Sequence, residues 1–301
     1  MLRGPMAHRP SPHARTSRTS RTSRVEPSRG ALVVATLLGG LLTGLLLPSA
    51  AAAGGWTQAQ DAYYLKLWGR AISGDGAYDV DGEVVAIERF YDLQLNVYGE
   101  YGVTDDWTAL FFGVPTGYAN ALTDTLYLGP LGVGVRRALL SRDLKLAAEL
   151  RYGFESGVGG EDVLSRPGEP RGQVVYVPAI DNHRGELELQ AGHGLSFGWV
   201  VASAGMRLNS EDGVDHAVIG GVQLGFQLGR FQLELHLQTY QPLGDVRVTN
   251  ASGVGQTRYV GGGLGVGYRF GESVGAVAGL DGGAARSNAV SASYLAGLEL
   301  F

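Results

Sequence analysis

The chain comprises 301 residues, with 24 Lys+Arg against 29 Asp+Glu for a formal net charge of −5, and it contains 48 glycines and no cysteine. The lack of cysteine excludes a disulfide scaffold and any thiolate metal site, and the acidic balance argues against nucleic acid as a partner.

Residues 1–30 form a basic region carrying Arg3, Arg9, Arg15, Arg18, Arg21, Arg24 and Arg29, with an Arg-Thr-Ser repeat from Arg15 to Arg24. Residues 31–47 are uncharged and apolar, and the small residues Ala50 to Ala53 follow Pro48 and Ser49. This order reads as a secretory signal peptide cleaved near residue 53. The apolar run, 17 residues, is short for a spanning helix. Residues 54–301 are then the folded part. They keep 17 basic and 28 acidic residues, a formal net charge of −11, and 43 of the glycines. No apolar run of about 20 residues appears after residue 53, so no spanning helix is available there.

Period-two alternation dominates the remainder, the pattern of strands with one apolar and one polar face. The first run sets Tyr63, Leu65 and Leu67 against Tyr64, Lys66, Trp68 and Arg70. Asp81-Gly82 is a two-residue turn candidate. The second run sets Tyr91, Leu93, Leu95, Val97, Tyr101 and Val103 against Asp92, Gln94, Asn96, Tyr98 and Glu100, and Thr104-Asp105-Asp106 ends it. The third, Trp107 to Pro115, has ambiguous parity because Leu110, Phe111 and Phe112 are consecutive. Tyr127 to Arg136 is the fourth. The fifth sets Leu144, Leu146, Ala148, Leu150, Tyr152 and Phe154 against Lys145, Glu149 and Arg151. An irregular stretch, 155–184, precedes the sixth run, which sets Leu187, Leu189, Leu195 and Phe197 against Glu186, Glu188 and Gln190. The seventh (Val200 to Leu208) carries Ser203 and Arg207 opposite its apolar residues, and the eighth runs from Val218 to Phe226. In the ninth, Phe231, Leu233, Leu235 and Leu237 oppose Gln232, Glu234, His236 and Gln238. The tenth sets Val260, Leu264, Val266 and Tyr268 against a glycine run and Arg269. Val274 to Leu280 and Val290 to Phe301 complete the set.

Twelve candidate strands result, with short turns alternating with longer loops and aromatics near the strand ends (Tyr101, Trp107, Phe197, Trp199, Phe231, Phe270) as for an interfacial girdle. The expected fold is all-β: a closed antiparallel up-and-down transmembrane β-barrel of about 12 strands, after a cleaved signal peptide. A secreted sandwich would have shorter strands and no uniformly greasy exposed face. Short turns mark the periplasmic end and 155–184 is the long external loop. Phe301 falls in phase with Glu299, on the polar parity, which points to a bulge or bend at the end of the last strand.

The leader, the strand count and the terminal Phe301 resemble bacterial outer-membrane barrels in general. The segment NVYGEYGVTDDWTALFFGVP (residues 96–115) resembles a hairpin corner recurrent in a broad group of transporters that includes the barrels associated with meta-pathway phenol degradation. The resemblance implies outer-membrane localisation and recognition of Phe301 by the barrel-assembly machinery. No catalytic or ligand residue carries over from it.

The polar parity supplies the lumen-lining candidates. On the early strands these are Lys66, Arg70, Asp92, Asn96 and Glu100; on the fifth and sixth Lys145, Glu149, Arg151, Glu186 and Glu188; and on the later ones Arg207, Glu234, His236 and Arg269, with Arg136 and Glu299 on the same parity. They read either as a polar conduit biasing solutes or as salt-bridged side chains filling a narrow barrel. The lead GGWTQAQDA is too short for a substantial plug, so gating falls to 155–184. The glycine run on the tenth strand either widens the lumen or accommodates large facing residues.

No enzyme is expected. A barrel hydrolase would need His193 and Ser196 on one face, and they have opposite parity. Asp75, Asp79, Asp81 and Glu83 could hold calcium, but Asp-Gly turn chemistry explains the same residues. No cofactor is expected. The partners are the lipid bilayer and small solutes, with no nucleic acid. The leading expectation is a passive channel for small solutes; the alternative is a non-conducting structural or surface-interaction barrel.

Overall fold

The computed structural model describes residues 56–78, 83–120, 123–160, 164–166, 173–211, 214–244, 248–250, 258–283 and 289–301. The leader, residues 1–53, lies outside them, as do Asp79, Asp81 and Gly82 of the acidic loop.

Twelve strands build the wall: β1 (Tyr63–Tyr78), β2 (Val84–Thr104), β3 (Trp107–Asn120), β4 (Leu131–Ser141), β5 (Leu144–Ser156), β6 (Asp181–Leu195), β7 (Gly198–Asn209), β8 (Ala217–Leu228), β9 (Phe231–Pro242), β10 (Tyr259–Arg269), β11 (Val274–Gly283) and β12 (Ala289–Leu300). Each pairs antiparallel with its sequence neighbours. β1 also pairs with β12, in the register Leu65↔Leu300 and Lys66↔Glu299, and this closes the sheet. Closure leaves no wall strand with an unpaired edge, which is how an antiparallel sheet satisfies its own amides without water.

Register follows from the alternation, since a slip of one residue would turn every apolar side chain inward. Val133, Leu150, Leu187, Leu189 and Leu237 point outward, each more than half exposed. Asp92, Glu100, Arg136, Glu149 and Glu186 on neighbouring positions are buried. The polarity of an ordinary soluble domain is inverted: the charges are inside.

Short connections gather at one end. Thr104 pairs with Trp107, Leu195 with Gly198 and Leu228 with Phe231, each closing a two-residue turn. Gly229 takes φ 62° in the last of these, a left-handed conformation that glycine adopts without steric cost. The other end carries the longer connections. Asp124–Tyr127 adds a short strand to β3, and a separate three-stranded sheet joins Leu164–Arg166, Gln173–Tyr176 and Val248–Asn250.

Four expectations need correction. The fourth strand begins at Leu131; Tyr127 belongs to the short strand beside β3 and turns inward, its hydroxyl donating to Asp92 Oδ1 at 2.6 Å. Trp199 lines the interior and is not part of a girdle. Strand β12 runs without a bulge to its end, so Phe301 points inward and is 3 % exposed. β11 continues through Asp281, beyond the expected loop boundary.

Candidate functional site

The chemistry-bearing residues converge on the inside of the barrel, where every second residue of each strand must point. A buried charge is costly unless it is paired, and the interior is arranged in pairs. Arg136, 2 % exposed, is the hub of one wall. Its Nε meets Glu149 Oε2 at 2.6 Å and its Nη1 meets Glu100 Oε1 at 3.0 Å. Nη2 donates to the Tyr98 hydroxyl at 3.1 Å. Glu149 also pairs with Arg151, which reaches Glu186 at 3.5 Å. Glu186 in turn takes Arg207 at 2.7 Å and Arg184 at 3.5 Å, and Arg184 binds Glu155 at 3.1 Å. Four arginines and four glutamates thus form one continuous, formally neutral ladder across β2, β4, β5, β6 and β7. Cross-strand register puts opposite charges beside each other: Arg136↔Glu149 and Arg151↔Glu186 are directly paired positions.

The facing wall is more loosely paired. Lys66 lies 3.5 Å from Glu299, which also accepts the Tyr64 hydroxyl at 2.7 Å. Asp281 holds His236 Nε2 at 3.2 Å and Arg70 at 3.8 Å. Gln223 Nε2 donates to Glu234 Oε1 at 2.6 Å. The glycines of β10 lie under this group, and a Cβ on Gly263 would collide with Asp281 and His236. The run makes room for polar side chains of its neighbours.

Between the walls lies a cavity of about 410 Å³, lined among others by Lys66, Trp68, Glu188, Trp199, Glu234 and His236. Trp199 lies flat over Gly225, where any Cβ would strike its ring.

Both ends are narrowed. At the short-turn end the lead enters the barrel. Gln58, 3 % exposed, donates through Nε2 to Glu100 at 2.5 Å and through its backbone N–H to Thr108 Oγ1 at 2.8 Å. The Trp56 carbonyl accepts from Arg136 at 3.0 Å, and its ring packs over Gly192. Trp56 and Gln58 therefore cover the floor from β2 to β6. At the long-loop end, inward-facing Ala77, Phe90, Ala119 and Tyr127 form an apolar cluster with Ala179 of the β5–β6 connection, which is shorter than the loop expected over 155–184 because β5 runs through Ser156 and β6 starts at Asp181. A second inward cluster, Ala217, Ile219 and Tyr240 with Tyr259, faces it.

Every lumen candidate sits on the inward parity, but the structure separates them. Glu100, Glu149, Arg151, Glu186 and Arg207 join the ladder. Lys66, Arg70, Glu234 and His236 belong to the facing wall, and Asp92 lies under Tyr127 toward the long-loop end. Asn96 is 8 % exposed with its Nδ2 unbonded, and Glu188 lines the cavity. Lys145 is half-buried toward the short turns, and Arg269 stacks on the Phe301 ring at 4.4 Å. Sequence reasoning missed Asp281, Gln58, Trp56, Arg184 and Glu155. Asp281, Glu155 and Arg184 carried a signal, since each extends the polar parity of its strand just beyond the expected end.

His193 points outward and its Nδ1 contacts the Asp143 carbonyl oxygen at 2.8 Å, while Ser196 sits in the turn. Of the acidic residues expected in a loop, Asp75 lies on β1 and is held by Arg89 of β2 at 3.1 Å. Among the described residues no group of three or more His, Asp or Glu side chains assembles a metal site.

No family model matches this chain, and no curated protein does. Solved structures do. An outer membrane channel from Pseudomonas putida F1 superposes with TM-score 0.59 at 11 % identity, covering 84 % of this chain and 100 % of that one. The NanC porin gives 0.50 at 12 % identity, covering 79 % and 99 %. The translocator domain of the autotransporter NalP from Neisseria meningitidis gives 0.49 at 14 % identity, covering 90 % and 95 %. At these identities the likeness is one of fold, and the fold is that of the outer-membrane β-barrels.

Proposed function

We propose that the chain is an integral outer-membrane channel passing small polar solutes passively through its lumen. One observation carries the reading: a polar, charge-lined cavity of about 410 Å³ enclosed by a closed barrel. The outward belt of Leu, Val, Tyr and Phe supports membrane insertion, because apolar patches beyond a few hundred Å² do not stay in water. The channel architecture of the superposing Pseudomonas putida F1 protein is in keeping with this. The resemblance of residues 96–115 extends the proposal to the transporter group that includes phenol-degradation barrels. Export behind the cleaved leader and assembly through Phe301 belong to the same proposal. The outward, carbonyl-bound His193 supports a channel over a hydrolase.

A non-conducting structural barrel is favoured by a separate observation, the narrowing at both ends by Trp56–Gln58 and by the Ala179 cluster. Single-channel recording of the refolded protein decides. The channel reading expects discrete openings in potassium chloride; their absence across salts and voltages would leave the structural barrel.

A further inference from the structure

The cationic side chains around the cavity are already engaged. Lys66 is paired with Glu299, Arg136 with Glu100 and Glu149, and Arg151 with Glu149 and Glu186. The carboxylates are not matched in the same way. Glu100 is taken by Arg136, but among the described residues no lysine or arginine nitrogen lies within 4.0 Å of Glu188 or Glu234. Glu188 accepts from Gln190 Nε2 at 2.9 Å, and Glu234 from Gln223, with His236 Nδ1 at 3.9 Å.

A second, independent feature has the same sign. Gln190 lines the cavity, is 6 % exposed, and spends its amide nitrogen on Glu149 and Glu188. Its Oε1 accepts no hydrogen bond from the protein. A buried acceptor without a donor is unfavourable, so Gln190 Oε1 calls for a donor, while Arg151 Nε in the same cavity is a buried donor without an acceptor. Tyr64, Trp68, Tyr98 and Trp199 contribute aromatic surface to the same space. Ring faces attract cations, and the protein shows the contact itself: Lys66 Nζ sits 5.5 Å from the Trp68 ring centroid.

We propose that this cavity binds small organic cations with N–H donors, ammonium or amidinium compounds of about monosaccharide size. The size limit is the volume, about 410 Å³, at the small end of ligand pockets of roughly 300–1,000 Å³. Glu188 and Glu234 supply the compensating charge, Gln190 Oε1 an acceptor, and the aromatic rings the walls. The identity of the solute rests on the channel reading; binding requires only the folded barrel.

The test uses three sugars built on one pyranose ring: glucosamine (cationic), N-acetylglucosamine (neutral) and glucuronate (anionic). Binding to the full chain refolded in detergent is followed by tryptophan fluorescence, and block of single-channel current in lipid bilayers is recorded separately. Glucosamine should bind at least about ten-fold more tightly than N-acetylglucosamine, as expected for charge-assisted hydrogen bonds. E188Q/E234Q, whose folding is checked by heat-modifiable gel migration, should erase the difference, and Q190L should reduce it. The wild-type comparison needs no variant to fold. Equal binding of glucosamine and N-acetylglucosamine, or tighter binding of glucuronate, overturns the proposal. Discrimination in detergent without openings in bilayers sinks the channel reading and leaves the cation site standing. Openings without discrimination do the reverse.

Discussion

Removal of Arg136 should be among the most damaging single interior changes. Arg136→Ala deletes two ion pairs, at 2.6 and 3.0 Å, and the donors to Trp56 O and Tyr98 Oη. Stripping one partner from a buried pair costs about 3–5 kcal/mol because a charge is left unmatched. Here the residual charges are not abandoned. Glu149 keeps Arg151 and Gln190, and Glu100 keeps Tyr98 and Gln58. The loss should therefore lie near the lower end, about 3 kcal/mol. Urea unfolding in lipid vesicles, followed by tryptophan emission, gives the number. Arg137→Ala is the control: its side chain points outward over the Trp107 ring at 5.3 Å, a contact worth about 0.5–1 kcal/mol at an exposed site. Pairing Arg136→Met with Glu149→Gln should recover part of the loss, because two neutral partners leave no unmatched charge between them. If Arg136→Ala stays within about 1 kcal/mol of wild type, the buried ladder does not hold the wall together. A functional consequence accompanies the stability change: freeing the Trp56 carbonyl should loosen the lead and raise conductance.

Leu189→Arg, which places a charge on the outward belt where Leu189 is 59 % exposed, should cost about 2–4 kcal/mol and lower the yield of folded barrel in vesicles; Gln238→Glu, on the cavity-facing side of β9, should insert normally. Ala179→Glu, at a site 1 % exposed against Phe90 and Tyr127, should break the apolar cluster at the long-loop end, seen as larger single-channel openings. Phe301→Ala removes a ring packed against Tyr64 at 5.7 Å and under Arg269; unfolding measurements should show a loss of about 3 kcal/mol, toward the low end for Phe→Ala in a core. A loss confined to the rate of assembly, with unchanged stability once folded, would assign Phe301 to recognition alone.

The wall was legible because membrane barrels enforce strict alternation, and β5, β6 and β9 display it without interruption. The choice of which parity faces inward was equally readable, since Asp92, Glu149 and Glu188 cannot face hydrocarbon. What alternation cannot carry is neighbourhood around the ring. Arg136 meets Glu149 across one strand pair, yet Asp281 meets His236 and Arg70 only because β10 between β9 and β11 is glycine and β12 closes onto β1. The lead Trp56–Asp61 has no period of its own, so nothing in it announced that Gln58 would reach Glu100. Trp199 was misplaced for a related reason: an aromatic beside a turn satisfies the girdle rule on either parity, and only strict counting from Val201 and Ser203 turns it inward. The connection between β5 and β6 illustrates a third limit, because Ala179 is buried by partners on β1, β2 and β3 that are far away in sequence.

Trp199 over Gly225, Phe112 over Gly132 and Tyr127 over Gly117 share one arrangement: a large inward ring lies on a glycine of the adjacent strand. Each ring is held against the wall by the absence of a side chain beneath it. A single methyl, as in Gly225→Ala, would lift the indole off the wall and into the lumen without altering any charge. The bore of such a barrel can thus drift by steps of one carbon while every ion pair stays in place. Two relatives with identical interior charges can for that reason admit solutes of different girth.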